Sequence, residues 1–325
     1  VDAAGSSDGK AGSGGYTLWR VRDPKTRGRQ CYERREWADA YEALSLADRS
    51  HPLDVEDLER LAFSAGLTAR DDEFLKAHER LHQALLEQGE TVRAVRSAFW
   101  LCMRLFALGE PGRASGWLGR AQRLLEREKG DCVERGYLLL PLCHRHLRAG
   151  ELEAAYQHAR EAAEVGDRFR DADLSAFACN LQGRVLVRQG QLERGLALLD
   201  EAMIATTTGE LSPVITGLIY CSVIATCQQI YALDRAREWT AALTRWCQAQ
   251  PQLVTFAGIC LVHRSEIMQL GGAWSEAAEE ARRAFERFSP PAEREGAADA
   301  AYQQAEILRL RGELAAAEEA YRTAN

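Results

Sequence analysis

The chain has 325 residues, a formal net charge of -7, and apolar and charged fractions of 46% and 27%. That apolar content can fill a sizeable core, which argues against a disordered chain, and the acidic balance excludes a nucleic-acid surface spread over the whole molecule, because phosphate binding needs clustered Lys and Arg. Proline is scarce, strand-like alternation is nearly absent, and the nearest approach to a membrane span, Leu218–Ile224, is too short, so the chain reads as all-α with no membrane insertion.

Taken in order, Val1–Gly15 is Gly/Ser/Ala/Asp-rich and cannot bury enough apolar surface to offset its ordering entropy, so 1–15 reads as a flexible linker or a cloning remnant. The segment 16–30 is a basic leader with aromatics, placing Tyr16 and Trp19 among Arg20, Arg22, Lys25, Arg27 and Arg29. It can either touch a nucleic acid or an acidic partner, or pack Trp19 on the first hairpin, and the last reading is preferred because the run is short. From Cys31 to Asn325 the pattern is helical throughout. Asp54 after Pro52, Asp173 and Ser212 before Pro213 are expected N-caps. Pro141 is expected to kink or delay the helix that holds it, and Ser289-Pro290-Pro291 to separate the last two units.

The clearest unit is Leu181–Ala202. Small residues at Gly183, Gly190, Gly195 and Ala202 let two antiparallel helices approach, Leu186, Leu192 and Leu199 are expected between them, and Gly190 makes the turn. The turn position recurs at Arg35, Ala69, Gly109, Gly150, Gly190, Tyr231, Gly272 and Gly312, with spacings of 34, 40, 41, 40, 41, 41 and 40 residues. Alanine follows five residues later at Ala40, Ala114, Ala155, Ala236, Ala277 and Ala317. This order of small and large residues resembles the tetratricopeptide repeat, with each helix lengthened by most of a turn. The expected fold is an all-α, tetratricopeptide-like solenoid: a right-handed superhelix of about eight hairpins with a period near 40 residues. The chain opens at Val1 and stops at Asn325 as the last repeat closes, which reads as a piece of a longer protein.

No motif for catalysis is found. Gly5–Ala11 lacks the spacing of a phosphate loop, and there is no nucleophile elbow, paired-histidine zinc motif or dinucleotide fingerprint. Nine cysteines without a Cys-x-x-Cys pair suggest a reducing, cytoplasmic setting. Cys221, Cys227, Cys247, Cys260 and His263 fall within two adjacent hairpins. Zinc would need them to converge on one tetrahedron, whereas Cys221 and Cys227, six apart on a helix, point to opposed faces. Core packing is the preferred reading, as it is for Trp274 and the aromatics Tyr220, Trp239, Trp246 and Phe256. No cofactor and no metal are expected.

The repeats, together with Ala-Arg-Glu-Trp-Thr-Ala-Ala-Leu at 236–243, Glu-Leu-Ser-Pro at 210–213 and Cys-Leu-Val-His-Arg at 260–264, resemble the long tetratricopeptide-like region of large bacterial LuxR-type regulators of the maltose-operon activator type. The resemblance covers about Cys31–Ala324. It implies a superhelix that senses a small-molecule effector or a partner beside a DNA-binding domain; this stretch itself carries no helix-turn-helix, so no nucleic-acid binding is transferred to it. It further implies that the first helix of each hairpin lines a concave groove, through positions ten and six residues before each turn: Phe99 and Met103, Leu140 and His144, Asn180 and Arg184, Cys221 and Ala225, Val262 and Glu266, Tyr302 and Glu306, extended by Gln228 and Arg309. The stripe runs from apolar to acidic, which suits an elongated ligand with a cationic or hydroxylated end. The expected role is non-catalytic, as the effector-binding or protein-interaction domain of a transcriptional regulator. The alternative is a stand-alone scaffold for a peptide or protein, and homo-oligomers are conceivable.

Overall fold

The computed structural model describes residues 23–288 and 294–324. The linker 1–15, the leader as far as Arg22 with its Trp19, and the break at Ser289-Pro290-Pro291 lie outside the described residues. Among those described there are sixteen helices and no strand: α1 Pro24–Glu33, α2 Trp37–Ser50, α3 Val55–Leu67, α4 Asp71–Glu87, α5 Thr91–Ala107, α6 Pro111–Arg127, α7 Glu134–Ala149, α8 Leu152–Phe169, α9 Ala172–Arg188, α10 Leu192–Thr208, α11 Pro213–Gln229, α12 Leu233–Gln248, α13 Thr255–Leu270, α14 Trp274–Arg287, α15 Arg294–Leu310 and α16 Leu314–Ala324.

All eight turn positions found by spacing fall between the two helices of a hairpin, and all eight have positive φ. A three-residue turn between antiparallel helices needs one left-handed residue. Gly109, Gly150, Gly190, Gly272 and Gly312 take it without strain, whereas Arg35, Ala69 and Tyr231 hold φ of 61°, 58° and 58° despite their Cβ atoms.

The small residues do what the pattern implies. Ala40, Ala114, Ala155, Ala236 and Ala277 are fully buried, and a Cβ on Gly195 would lie 2.8 Å from the Gly183 carbonyl oxygen, so α9 and α10 touch backbone to backbone. Leu186 and Leu199 fill the interface, but Leu192 does not: at the first residue of α10 it is 45% exposed, as Leu314 and Trp274 are exposed at the same position of their hairpins. The first helical turn projects back over the loop rather than into the partner helix. Asp173 is not an N-cap; Asp171 caps α9, and the Asp173 carboxylate instead accepts from the Ser212 amide at 2.8 Å, holding the start of α11 to α9. α7 runs through Pro141 without ending.

The odd-numbered helices pack on one another in succession, α3 with α5 excepted, while the even-numbered helices do not pack together comparably. The odd helices therefore form the inner layer. α1 begins at Pro24, so the first hairpin takes in the second half of the basic leader, whose described cations are spent within the chain: Lys25 and Arg29 bind Asp54 and Asp57 on α3, and Arg27 meets Asp39.

The superhelix also meets its own beginning. Gln252, in the α12–α13 loop, bonds to Ala38 and Asp39 on α2; the Val254 amide donates to the Leu67 carbonyl at 3.1 Å; and the Thr255 hydroxyl donates to the Gly66 carbonyl at 2.8 Å. Trp37 and Leu67 from the first two hairpins form an apolar plug with Leu253 and Phe256. The first turn of the coil is closed. No described helix is long and apolar enough to cross a membrane.

Candidate functional site: the inner wall and its charges

The two rows assigned to the groove do not share one fate. Six residues before the turn, Met103, His144, Arg184, Ala225, Glu266 and Glu306 are all partly exposed. Ten before it, Phe99, Leu140, Asn180 and Val262 are buried, Cys221 is half-buried, and only Tyr302 is exposed. Four residues advance a helix by about 400°, so the second row lies some 40° round from the first, toward the neighbouring helices. Phe99 and Asn180 therefore leave the candidate surface. Phe99 packs on the rings of Trp100 and Tyr137 at 5.0 and 5.1 Å, and Asn180 accepts a hydrogen bond from the Ser222 hydroxyl at 3.0 Å.

The acidic end of the stripe is already compensated. Glu266 accepts from Gln228 at 2.9 Å and lies 3.1 Å from His263 Nδ1, while Glu306 is bound by Arg309 at 2.7 Å and by the Tyr321 hydroxyl. Burial alone would push His263 down; the Cys221 and Glu266 side chains override it and raise it to about 10. This end of the wall is thus not an open receptor for a cation.

The middle of the wall is different. Arg184 has no ion pair or side-chain hydrogen bond among the described residues, although burial and then Arg188 disfavour its charge. Arg148 and Arg188, one turn further along α7 and α9, also lack carboxylate partners among the described residues. His144 is held near 3 by burial, with Arg184 and Arg148 adding to it, and its buried Nε2 has no hydrogen-bond partner. A neutral imidazole and a poorly solvated guanidinium make a spot that attracts an anion able to displace the remaining water.

Two polar features escaped the sequence reading. Arg96 on α5 bonds Glu134 at 3.1 Å and lies 3.5 Å over the Tyr137 ring, while the Tyr137 hydroxyl donates to Asp171 at 2.9 Å, tying three successive inner helices. Nothing in the local pattern marks these residues as partners. The cysteines divide as their spacing implies: Cys227 is buried apart, its thiol pushed up to about 11 by burial, whereas Cys221, Cys247, Cys260 and His263 neighbour one another. The Cys260 thiol, 3.3 Å from the Thr244 hydroxyl, is lowered by its hydrogen bond with Cys247. No group of three or more potential ligands among the described residues is arranged to hold a metal ion.

No protein-family model and no curated protein matches the sequence. Solved structures do. Aspartyl phosphate phosphatase F from Bacillus subtilis superposes with a TM-score of 0.54 at 10% identity, covering 93% of this chain and 92% of that one. A Rap protein complexed with competence and sporulation factor gives 0.51 at 12% identity over 90% of this chain and 75% of that one. A signal transduction ATPase with a tetratricopeptide repeat sensor, from Pyrococcus horikoshii, gives 0.50 at 12% identity, with 92% of this chain spanning only 46% of that one. The fold is a tetratricopeptide-like superhelix. At these identities the likeness concerns the fold alone.

Proposed function

We propose that this superhelix is a non-catalytic interaction domain, of the kind used as the sensor of a bacterial regulator, and that its inner wall takes an acidic segment of a peptide or protein partner at Arg184. The observation that carries this reading is the contrast in charge along the wall: Glu266 and Glu306 are paired, whereas Arg184, flanked by Arg148, Arg188 and a neutral His144, is not. A carboxylate placed on a half-buried guanidinium forms a charge-assisted, potentially bidentate bond. One fold neighbour was solved with a competence and sporulation factor and another carries a repeat sensor, which agrees with a recognition role.

The test is fluorescence anisotropy with a labelled hepta-glutamate peptide, at low and physiological salt. The intact chain is expected to bind it, and Arg184→Glu to weaken binding by at least tenfold while the far-UV spectrum is unchanged. Equal binding by the variant, or preference for a hepta-lysine peptide, would sink the reading.

A further inference from the structure

A second site lies away from the inner wall, at the seam where the coil touches its start. A cavity of about 390 Å³ opens there, lined by Arg35 from the α1–α2 turn, by Thr216 and Tyr220 of α11, and by Arg245 and Trp246 of α12, with the end of α10 closing it through Thr206, Thr207 and Gly209. That volume suits a small organic molecule rather than a polypeptide.

The polar groups of the cavity have one sign. No carboxylate lines it, and neither Arg35 nor Arg245 makes an ion pair or side-chain hydrogen bond with any described residue. Thr216 and Tyr220 are 3% and 2% exposed, yet their hydroxyls bond to no described residue. Both oxygens open on the cavity rather than being sealed from it, so each is free to bond an occupant. The hydroxyls of Thr206 and Thr207, in contrast, donate back to the Ala202 and Met203 carbonyls at 2.8 and 3.0 Å, so they are already committed. The remaining surface is flat and apolar, with the Tyr220 and Trp246 rings 6.0 Å apart beside Leu211, Pro213 and Ala242.

We infer that this seam cavity is a binding site for a small aromatic or otherwise flat organic anion, a carboxylate or a phosphate monoester. The charged group is held between Arg35 and Arg245 with hydrogen bonds from Thr216 and Tyr220, and the body lies against Trp246. Arg35 comes from the first hairpin and every other lining residue from the fifth and sixth. An occupant therefore bridges the two parts of the chain that close the turn, beside the Gln252–Asp39 and Val254–Leu67 contacts. A ligand that binds only when both parts are in place favours the closed arrangement by mass action. The site is independent of any partner on the inner wall.

The experiment is isothermal titration of the full chain with phenyl phosphate, phenylacetate and, as the uncharged control, benzyl alcohol. Saturable binding is expected for an anion and not for the alcohol; comparing the two anions tells phosphate from carboxylate. Arg35→Gln combined with Arg245→Gln is expected to weaken binding at least tenfold, with the melting temperature of the unliganded chain reporting that it still folds. Amide exchange read in parallel is expected to slow at 36–41 and 250–256 when the anion binds. Equal affinity for benzyl alcohol, unchanged affinity in the double variant, no binding by either anion, or protection confined to 140–190 would each overturn the assignment. If the double variant fails to fold, the exchange pattern of the intact chain decides alone.

Discussion

Gln252 holds Asp39 from across the whole first turn of the superhelix: its Nε2 donates to Asp39 Oδ2 at 2.5 Å, and its Oε1 accepts from the amides of Ala38 and Asp39 at 2.9 and 3.2 Å. One amide side chain thus satisfies two first-turn N–H groups of α2, which has no side-chain cap of its own. Gln252→Ala is expected to cost about 1–3 kcal/mol and to speed amide exchange at 36–41 selectively. Chemical denaturation and hydrogen exchange measure the two effects; uniform exchange changes along the chain would contradict a local clasp.

The same substitution should have opposite signs at two glycines. Gly195→Ala puts a methyl 2.8 Å from the Gly183 oxygen and 2.9 Å from the Val187 nitrogen, and is expected to destabilise by about 1–3 kcal/mol despite the better helix former. At Gly116 nothing lies within 4 Å, so Gly116→Ala should stabilise by up to ~1 kcal/mol. Thermal melts of the two variants give the comparison directly.

Asp57 is the pivot of the first two hairpins. Its carboxylate is fully buried and meets Arg29 at 2.7 Å, Arg60 at 2.9 Å and Lys25 at 3.1 Å. Burial alone would raise its pKa, but the Arg29 and Lys25 contacts outweigh it and hold the carboxyl below its usual range. Asp57→Asn keeps the shape and removes the charge that three cations share, and is expected to destabilise by about 2–3 kcal/mol. Denaturant midpoints in low and high salt check it, the loss persisting in salt because the carboxylate is out of water.

Acid should weaken the fold through two histidines. Burial pushes His78 and His144 down to about 3, so each stays neutral in the folded chain while the unfolded chain takes up a proton near 6.5. Their contribution is complete above 6.5 and is lost progressively as pH falls from there toward 3. The slope is roughly 1.4 kcal/mol per pH unit for each group. His78→Phe is expected to flatten the stability profile between pH 4 and 6, a region read by urea titrations; an unchanged slope would mean that His78 is protonated in the fold.

The hairpins were legible because their turns impose a backbone demand on one residue and a size limit on two others, and both are local. Even Tyr231, which has no glycine, announced itself by its distance from Gly190 and Gly272. The phase of the inner wall was harder. Phe99 and Asn180 sit one helical turn from Met103 and Arg184, and only the approach of the neighbouring helices decides which of each pair is covered. The Asp173 cap failed for a similar reason: two aspartates two residues apart offer the same chemistry, and Ser212, brought close by folding, recruits the second. Gln252 and Asp39 are ordinary in sequence, so the closure they make has no local signature at all.

That closure changes what kind of object the protein is. An open stack loses order by fraying from whichever end is weaker, one hairpin at a time. Here the first two hairpins are fastened to the sixth and seventh, so melting either side releases Trp37, Leu67, Leu253 and Phe256 together. The first seven hairpins form a closed ring rather than beads on a rod, and loosening one joint is expected to loosen the contacts on the far side of the circle.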